Sequence, residues 1–259
     1  MPFPEVTRVK YSLSPLENVI CQIRFPVILE IDSENPFVFQ NLIRDKFPVY
    51  EERNEVVNEF NFAIQDQMLN PMAKVSSNKT HIFKSEDGFW SICLNKTFLS
   101  ISVEGKYSTW EDFFSKFEKP ISALCDTYKP AYFTRIGLRY EDVFCRSVLN
   151  LDGCSWSELI KPEFLGLLGS SIANVSGFNS VHELLCKDLS SRMRIISSLV
   201  RKMNNNEECL LLDSDTYAEE KIKIKDVRER LNYLHDRSSR LLRYAITDKL
   251  HNGMVPNKL

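Results

Sequence analysis

Apolar and polar residues alternate most regularly in two stretches. Val19, Cys21, Ile23 and Phe25 alternate with Ile20, Gln22 and Arg24, the period-two signature of a strand with one face on a core. Residues 132–144 (YFTRIGLRYEDVF) repeat the pattern. Tyr132, Ile136, Leu138 and Tyr140 suit a core, and Phe133, Arg135, Gly137, Arg139 and Glu141 take the opposite face. Between these stretches lies a predicted meander: 81–84, a turn at Glu86-Asp87-Gly88, 89–94, a turn at Asn95-Lys96, and 98–104. Such short connections make neighbouring strands antiparallel. Phe60, Phe62 and Ile64 predict a strand at 56–66, and 67–78 reads as a loop or ragged strand. Residues 192–200 and 209–213 predict a late hairpin about a turn at 204–206.

Helical spacing marks two long segments. Trp110, Phe113, Phe114, Phe117, Ile121, Leu124 and Cys125 share one side of a helix over 110–128, capped by Ser108 or Thr109, carrying Pro120 and ended by Pro130. Val227, Leu231, Leu234, Leu241, Ala245 and Ile246 line a second over 226–250, with Gly253 marking its end before a mobile tail. A shorter helix starts at Asn35-Pro36, with Asn35 as cap and Phe37, Leu42, Ile43 and Phe47 on its apolar side. Ser155 caps a further short one, and 146–190 is otherwise irregular. The segments 99–107 (LSISVEGKY) and 210–217 (LLLDSDTY) each run from an apolar strand into a polar turn and a tyrosine, ahead of a long helix. The expected fold is therefore α+β: antiparallel β-meanders with two long helices packed on one side. It divides into pseudo-duplicated α+β halves at 1–145 and 146–259, or forms one continuous domain.

Composition narrows the functional classes. The 259 residues carry 33 Lys and Arg against 35 Asp and Glu, a net charge of −2. That balance disfavours a general nucleic-acid binder, although a local basic groove is compatible with it. The seven cysteines are scattered and never spaced CxxC, unlike a disulfide framework or zinc knuckle. Several, such as Cys21, sit among apolar residues as small hydrophobes, which points to a reducing cytoplasm. The N-terminus has no apolar signal region, and no run is long enough for a membrane helix.

Candidate chemistry is sparse. Gly137 lies between Arg135 and Arg139 on one strand face, and Arg24 occupies the equivalent face of the first strand. One reading is a cationic notch for a carboxylate, a phosphate or an acidic partner side chain. The other is that both arginines pair with Glu141, Asp142 or other acids. Asp213 and Asp215 close a predicted strand, and such a pair can hold a divalent metal, yet no phosphate loop or third acid accompanies them. The histidines, 81, 182, 235 and 251, form no HxH or HExxH; His235 reads as hydrogen-bonded at a core edge. With only eight glycines and no GxGxxG or GxxxxGK[ST], no phosphate cradle is expected. No catalytic residue and no cofactor are predicted.

Four stretches taken together carry a resemblance: SPLENVICQIRFP (14–26), FQNLIRDKFPVY (39–50), RIGLRY (135–140) and YLHDRSSRLLRYAITDKLHNGM (233–254). They resemble a sporadically distributed bacterial family of similar length with no assigned activity. That family tends to follow RIGLRY with an amide-bearing loop, where this chain has Glu141-Asp142, and to place an aromatic before its Ile-Thr pair, where Leu242 and Tyr244 stand nearby. Its patchy distribution resembles that of genes in mobile or defence loci. The sparse chemistry and the cysteine usage, with this distribution beside them, give the expectation of a non-enzymatic, cytoplasmic protein-interaction component, the distribution suggesting a defence or toxin–antitoxin-like system. Its partner would be encoded by a neighbouring gene, homo-oligomerisation is compatible, and no membrane is involved. The alternative is an enzyme or binder taking a phosphorylated small molecule or nucleic-acid end at the arginine notch.

Overall fold

The computed structural model describes residues 3–33, 35–65, 68–170, 174–186, 188, 190–203 and 205–258, with backbone alone at 55–65 and 68–78. In chain order the elements are β1 (Val9–Tyr11), β2 (Leu16–Arg24), α1 (Glu30–Ser33), α2 (Phe37–Ile43), β3 (Val49–Gln65), β4 (Met68–Lys84), β5 (Trp90–Asn95), β6 (Phe98–Glu104), α3 (Trp110–Tyr128), β7 (Arg135–Phe144), α4 (Trp156–Leu159), β8 (Asn179–Leu185), β9 (Ser191–Arg201), β10 (Glu208–Ala218), α5 (Val227–Ala245), α6 (Asp248–Gly253) and β11 (Pro256–Lys258). Nine strands form one antiparallel sheet in the order β3-β4-β5-β6-β2-β7-β10-β9-β8. The fold is mixed α and β, and the two strands of strongest alternation, β2 and β7, are neighbours at its middle.

Inward positions of the sheet sort into two apolar cores. The first gathers Cys21 and Ile23 of β2, Ile136 and Leu138 of β7, Phe113 and Phe117 of α3, and Leu231 and Leu234 of α5. The second gathers Phe144, Leu210 and Leu212 of β7 and β10, Trp156 of α4, and Leu241 and Ala245 of α5. α5 thus spans both cores, one with each end. Among the described residues no helix is long and apolar enough to cross a membrane.

α3 occupies the residues that its spacing predicts, with the Thr109 hydroxyl accepting from the Asp112 amide and Lys129 closing it in the left-handed region at φ 48°. Elsewhere local signals misled. Phe133 is buried, in a bridge to Ile222, and does not share the face of the arginines. α2 begins at Phe37 with Pro36 at its cap and no side-chain cap bond, so Asn35 does not cap it. Phe37 and Leu42 are exposed, while Phe39, Ile43 and Phe47 enter the core. The segment 68–78 is strand, one side of a long β3–β4 hairpin; residues 66 and 67 fall outside the described set, as does Asn204 of the predicted turn. β8, within the region that read as irregular, is the sheet's last strand.

β10 runs on to Ala218, so Asp213 and Asp215 lie inside a strand rather than at its end. The last helix does not continue to 250. Ile246 turns extended and bridges Ile160, and Thr247 caps α6 by accepting from the Leu250 amide. The tail after Gly253 is held: β11 pairs with β1. Cys145 and Cys209 also depart from the expected set of thiols. They follow the Phe144–Leu210 pair in register and form a disulfide across β7 and β10, with Cα atoms 4.7 Å apart.

Candidate functional site

From Arg135 onward the arginine face is built as the alternation predicts, and the charges of Arg135 and Arg139 are paired within the protein. Arg135 donates to Asp215 at 2.7 Å, lies 3.5 Å from Glu219, and stacks over the Tyr217 ring at 4.5 Å. Register places Asp215 opposite Arg139 and Tyr217 opposite Gly137, so the Arg135 side chain must cross Gly137 to reach its partner. A Cβ at Gly137 would lie 2.6 Å from its guanidinium. The glycine is the floor of that crossing, a close approach that an L side chain would obstruct.

Arg139 grips Asp213 with two bonds, 2.8 and 2.7 Å, and also reaches Glu141 at 2.8 Å. Hydrogen bonding to Asp213 holds the Arg139 guanidinium well above its ordinary range. Burial pushes the Asp215 carboxyl up against the pull of Arg135. Arg24 donates to Gln22 at 2.8 Å. A metal at Asp213 and Asp215 would have to displace both guanidinium groups, and the only other cluster of metal-type ligands found among the described residues, Cys145, Glu207 and Cys209, has its two sulfurs bonded to each other. Asp142, weighed as a partner for the arginines, faces the other side of the sheet.

On that side, where the two cores meet, the packing opens into a cavity of about 510 Å³. Its floor is polar where its neighbours on β7 and α5 are apolar. Tyr140 and Asp142 continue the inward row of Ile136 and Leu138, and Ser214 lies opposite Tyr140 on β10. His235 and Ser238 interrupt the leucine stripe of α5. The Tyr140 hydroxyl and His235 Nδ1 are 2.7 Å apart, and Ser238 is 2.9 Å from Thr216. The Trp110 indole stacks on the His235 ring at 4.9 Å and donates to Asn232 at 2.7 Å. Residues 6–11 and 14–16 form the remaining wall. This segment is tethered by Arg8 to Glu111, Lys10 to Ser108, Tyr11 to His251 and the β1–β11 ladder.

Two groups in this cavity differ from ordinary core polar residues. His81 provides the contrast. It is fully buried, with one ring nitrogen bonded to Tyr50 and the other to the Ile31 carbonyl. His235 Nε2 is buried without a hydrogen-bond partner among the described residues, and burial holds its ring neutral, with a pKa pushed down to about 4. The Asp142 side chain, on a residue only 4% exposed, makes no hydrogen bond or ion pair among the described residues. Burial pushes its carboxyl up to about 7. Beside it β2 carries a bulge, where register slips between Leu16 and Asn18, a common device for re-aiming side chains at a site. Perturbed, unpaired titratable groups in a cleft of this size are the usual mark of a binding or catalytic pocket.

Sequence reasoning missed this site because its members are single residues from distant segments. A signal was nonetheless present: Asp142 shares the parity of Ile136, Leu138 and Tyr140, and His235 and Ser238 sit at core positions of an apolar stripe.

No protein-family model matches the chain, and no curated protein does. Among solved structures, the crystal structure of the di-domain ARO/CYC StfQ from the steffimycin biosynthetic pathway aligns over 88% of this chain and 96% of its own, at 9% identity and a TM-score of 0.17. A likeness at that score supports no statement about fold or function.

Proposed function

We propose that this protein binds a small molecule in the cavity between its two cores. One observation carries the reading: the cavity floor brings together a carboxyl and an imidazole nitrogen that have no hydrogen-bond partner among the described residues. Unpaired buried polar groups cost stability, and a ligand that pairs with the Asp142 carboxyl accounts for its retention. The volume falls within the range of ligand sites. No residue here is assigned a catalytic step. The test fills the space. Ligand-observed NMR with an aromatic fragment library is expected to return binders to the wild type that Ser214→Phe abolishes, with its circular-dichroism melt still cooperative. Fragments that bind the filled variant equally well would sink the reading.

In this reading the chain is two halves, each opening on a central strand, β2 or β7. Each passes through short helices, returns by a meander to pair with its opening strand, and ends in a long helix, α3 or α5. What supports the duplication is this order, together with the antiparallel β2–β7 pair at the centre. The joint then falls ahead of β7 rather than at 145. Both long helices cover the same face of the sheet, and the cavity lies where the halves meet.

A second reading, a protein-interaction component of a bacterial defence or toxin–antitoxin-like system, draws on a different observation. β4 pairs with β5 only from Thr80 to Lys84, whereas its ladder with β3 continues to Gln65–Met68. A two-stranded ribbon is marginal by itself. The register pairs Phe60 with Ala73, Phe62 with Pro71 and Ile64 with Leu69. Val49, the first residue of β3, and Phe37 of α2 are exposed. Replacing residues 56–77 with a short turn is expected to abolish recovery of a stoichiometric partner from the native host, or to lower the mass seen by light scattering. No change in either would remove this reading.

A further inference from the structure

The cavity's charges show what kind of ligand its floor is built for. Most ionic side chains on its wall are already compensated. Arg8 pairs with Glu111, Arg228 with Glu118, Arg243 with Asp248, and Asp236 with Arg240. Lys10 has no carboxylate partner: it donates to the neutral Ser108 hydroxyl and, being exposed, leaves its charge to solvent. Among the described residues Asp142 is the wall's one carboxylate without a cation. Its cross-strand neighbours are Leu16 on β2 and Leu212 on β10, which offer it no donor. The rings of Tyr11, Tyr107, Trp110 and Tyr140 line the same space. Aromatic faces attract organic cations, most strongly where water is excluded. A lone carboxylate among aromatic rings is the chemistry that recognises a protonated amine.

We propose that the cavity takes an organic ammonium compound, an amine on an apolar or aromatic body, whose positive end pairs with Asp142. This rests on the reading of the cavity as a ligand site and goes further by naming the charge and class of the ligand. A carboxylate ligand would meet Asp142 as a like charge, and a neutral one would leave that charge unpaired.

The pH dependence follows. The groups that face Asp142 across the cavity do not change charge between pH 6 and 8. His235 on α5 is held neutral by burial. Burial raises Tyr11 on the N-terminal segment to about 12, and Tyr107 and Tyr140 well above the usual tyrosine range. Arg8 holds Glu111 of α3 ionised, and the remaining arginines and Asp236 are ion-paired. Asp142 is the group that titrates in that window. An ammonium ligand needs it ionised, so affinity should rise with pH up to about 7 and then level.

The experiment is calorimetric titration of the full chain with 2-phenylethylamine, its neutral isostere 2-phenylethanol, and 3-phenylpropionate. The expected result is that the amine binds about tenfold or more tighter than the alcohol at pH 8. Its affinity should fall by about tenfold per pH unit on acidification below 7. Asp142→Asn should remove both the preference and the pH slope while leaving the weak binding of the alcohol. Equal binding of amine and alcohol, or strongest binding of the acid, would overturn the ammonium assignment and leave the cavity reading in place. Binding of none of the three would count against both.

Discussion

The Arg139→Ala variant is expected to lose about 2–4 kcal/mol of unfolding free energy, seen as a lower urea midpoint at unchanged slope. The cause is the group left behind. The Asp213 side chain is only 5% exposed and receives both of its short bonds from Arg139. Removing the guanidinium strands a buried carboxylate, which costs more than the pair itself contributes. The range sits below that for a fully buried pair because the Arg139 side chain is 42% exposed and screened by water. Arg139→Met with Asp213→Leu is the control. With both charges gone, stability should return to within about 1 kcal/mol of wild type. If Arg139→Ala alone proved neutral, the account of this face as an internally satisfied ionic ladder would fail.

That ladder shows what a sequence can and cannot reveal. Alternation alone placed Arg135, Gly137 and Arg139 on one face of β7. Their partners were hidden because β10 appeared to end at Asp213; Ser214, Thr216 and Ala218 are small inward residues that carry little apolar signal yet extend the strand. α3 was legible from end to end because its aromatic spacing, Thr109 cap and following proline agree with one another. The end of α5 was not, since Ala245 and Ile246 keep the apolar period going through a break. The change of element there is written in Thr247, a capping residue ahead of Asp248.

The disulfide was invisible for another reason. Cys145 and Cys209 are 64 positions apart in sequence, and only the β7–β10 register makes them neighbours. The candidate site combines both problems. Tyr140 and Asp142 come from β7, Ser214 from β10 and His235 from α5, separated by tens of residues in the chain. Each is unremarkable in its own segment, and only the packing of α5 across the sheet brings them to one cavity.

Asp142 also makes the sharpest thermodynamic prediction. A carboxyl whose folded value stands near 7, against an ordinary 3.8, binds its proton more tightly folded than unfolded. Between those two values the unfolded chain has released the proton and the folded chain has kept it. Stability therefore falls as pH rises, by about 1.4 kcal/mol per pH unit, and levels off above pH 7. The full contribution is present below the unfolded value and lost above the folded one. Carboxylates held low by partners, such as Glu111 and Asp188, act in the opposite sense at acidic pH, so the informative quantity is the difference between variants. Asp142→Asn removes the ionisation and keeps the shape. Its stability relative to wild type is expected to grow by about 3 kcal/mol between pH 5 and pH 8, measured as urea midpoints at each pH. A difference that did not change with pH would mean that Asp142 has a charge partner in the folded protein. If the growth is found, the protein carries at neutral pH a buried charge that weakens its own fold at one position on the cavity floor. A cation delivered by a ligand would reverse that loss, which ties the instability of the empty cavity to the affinity of the filled one.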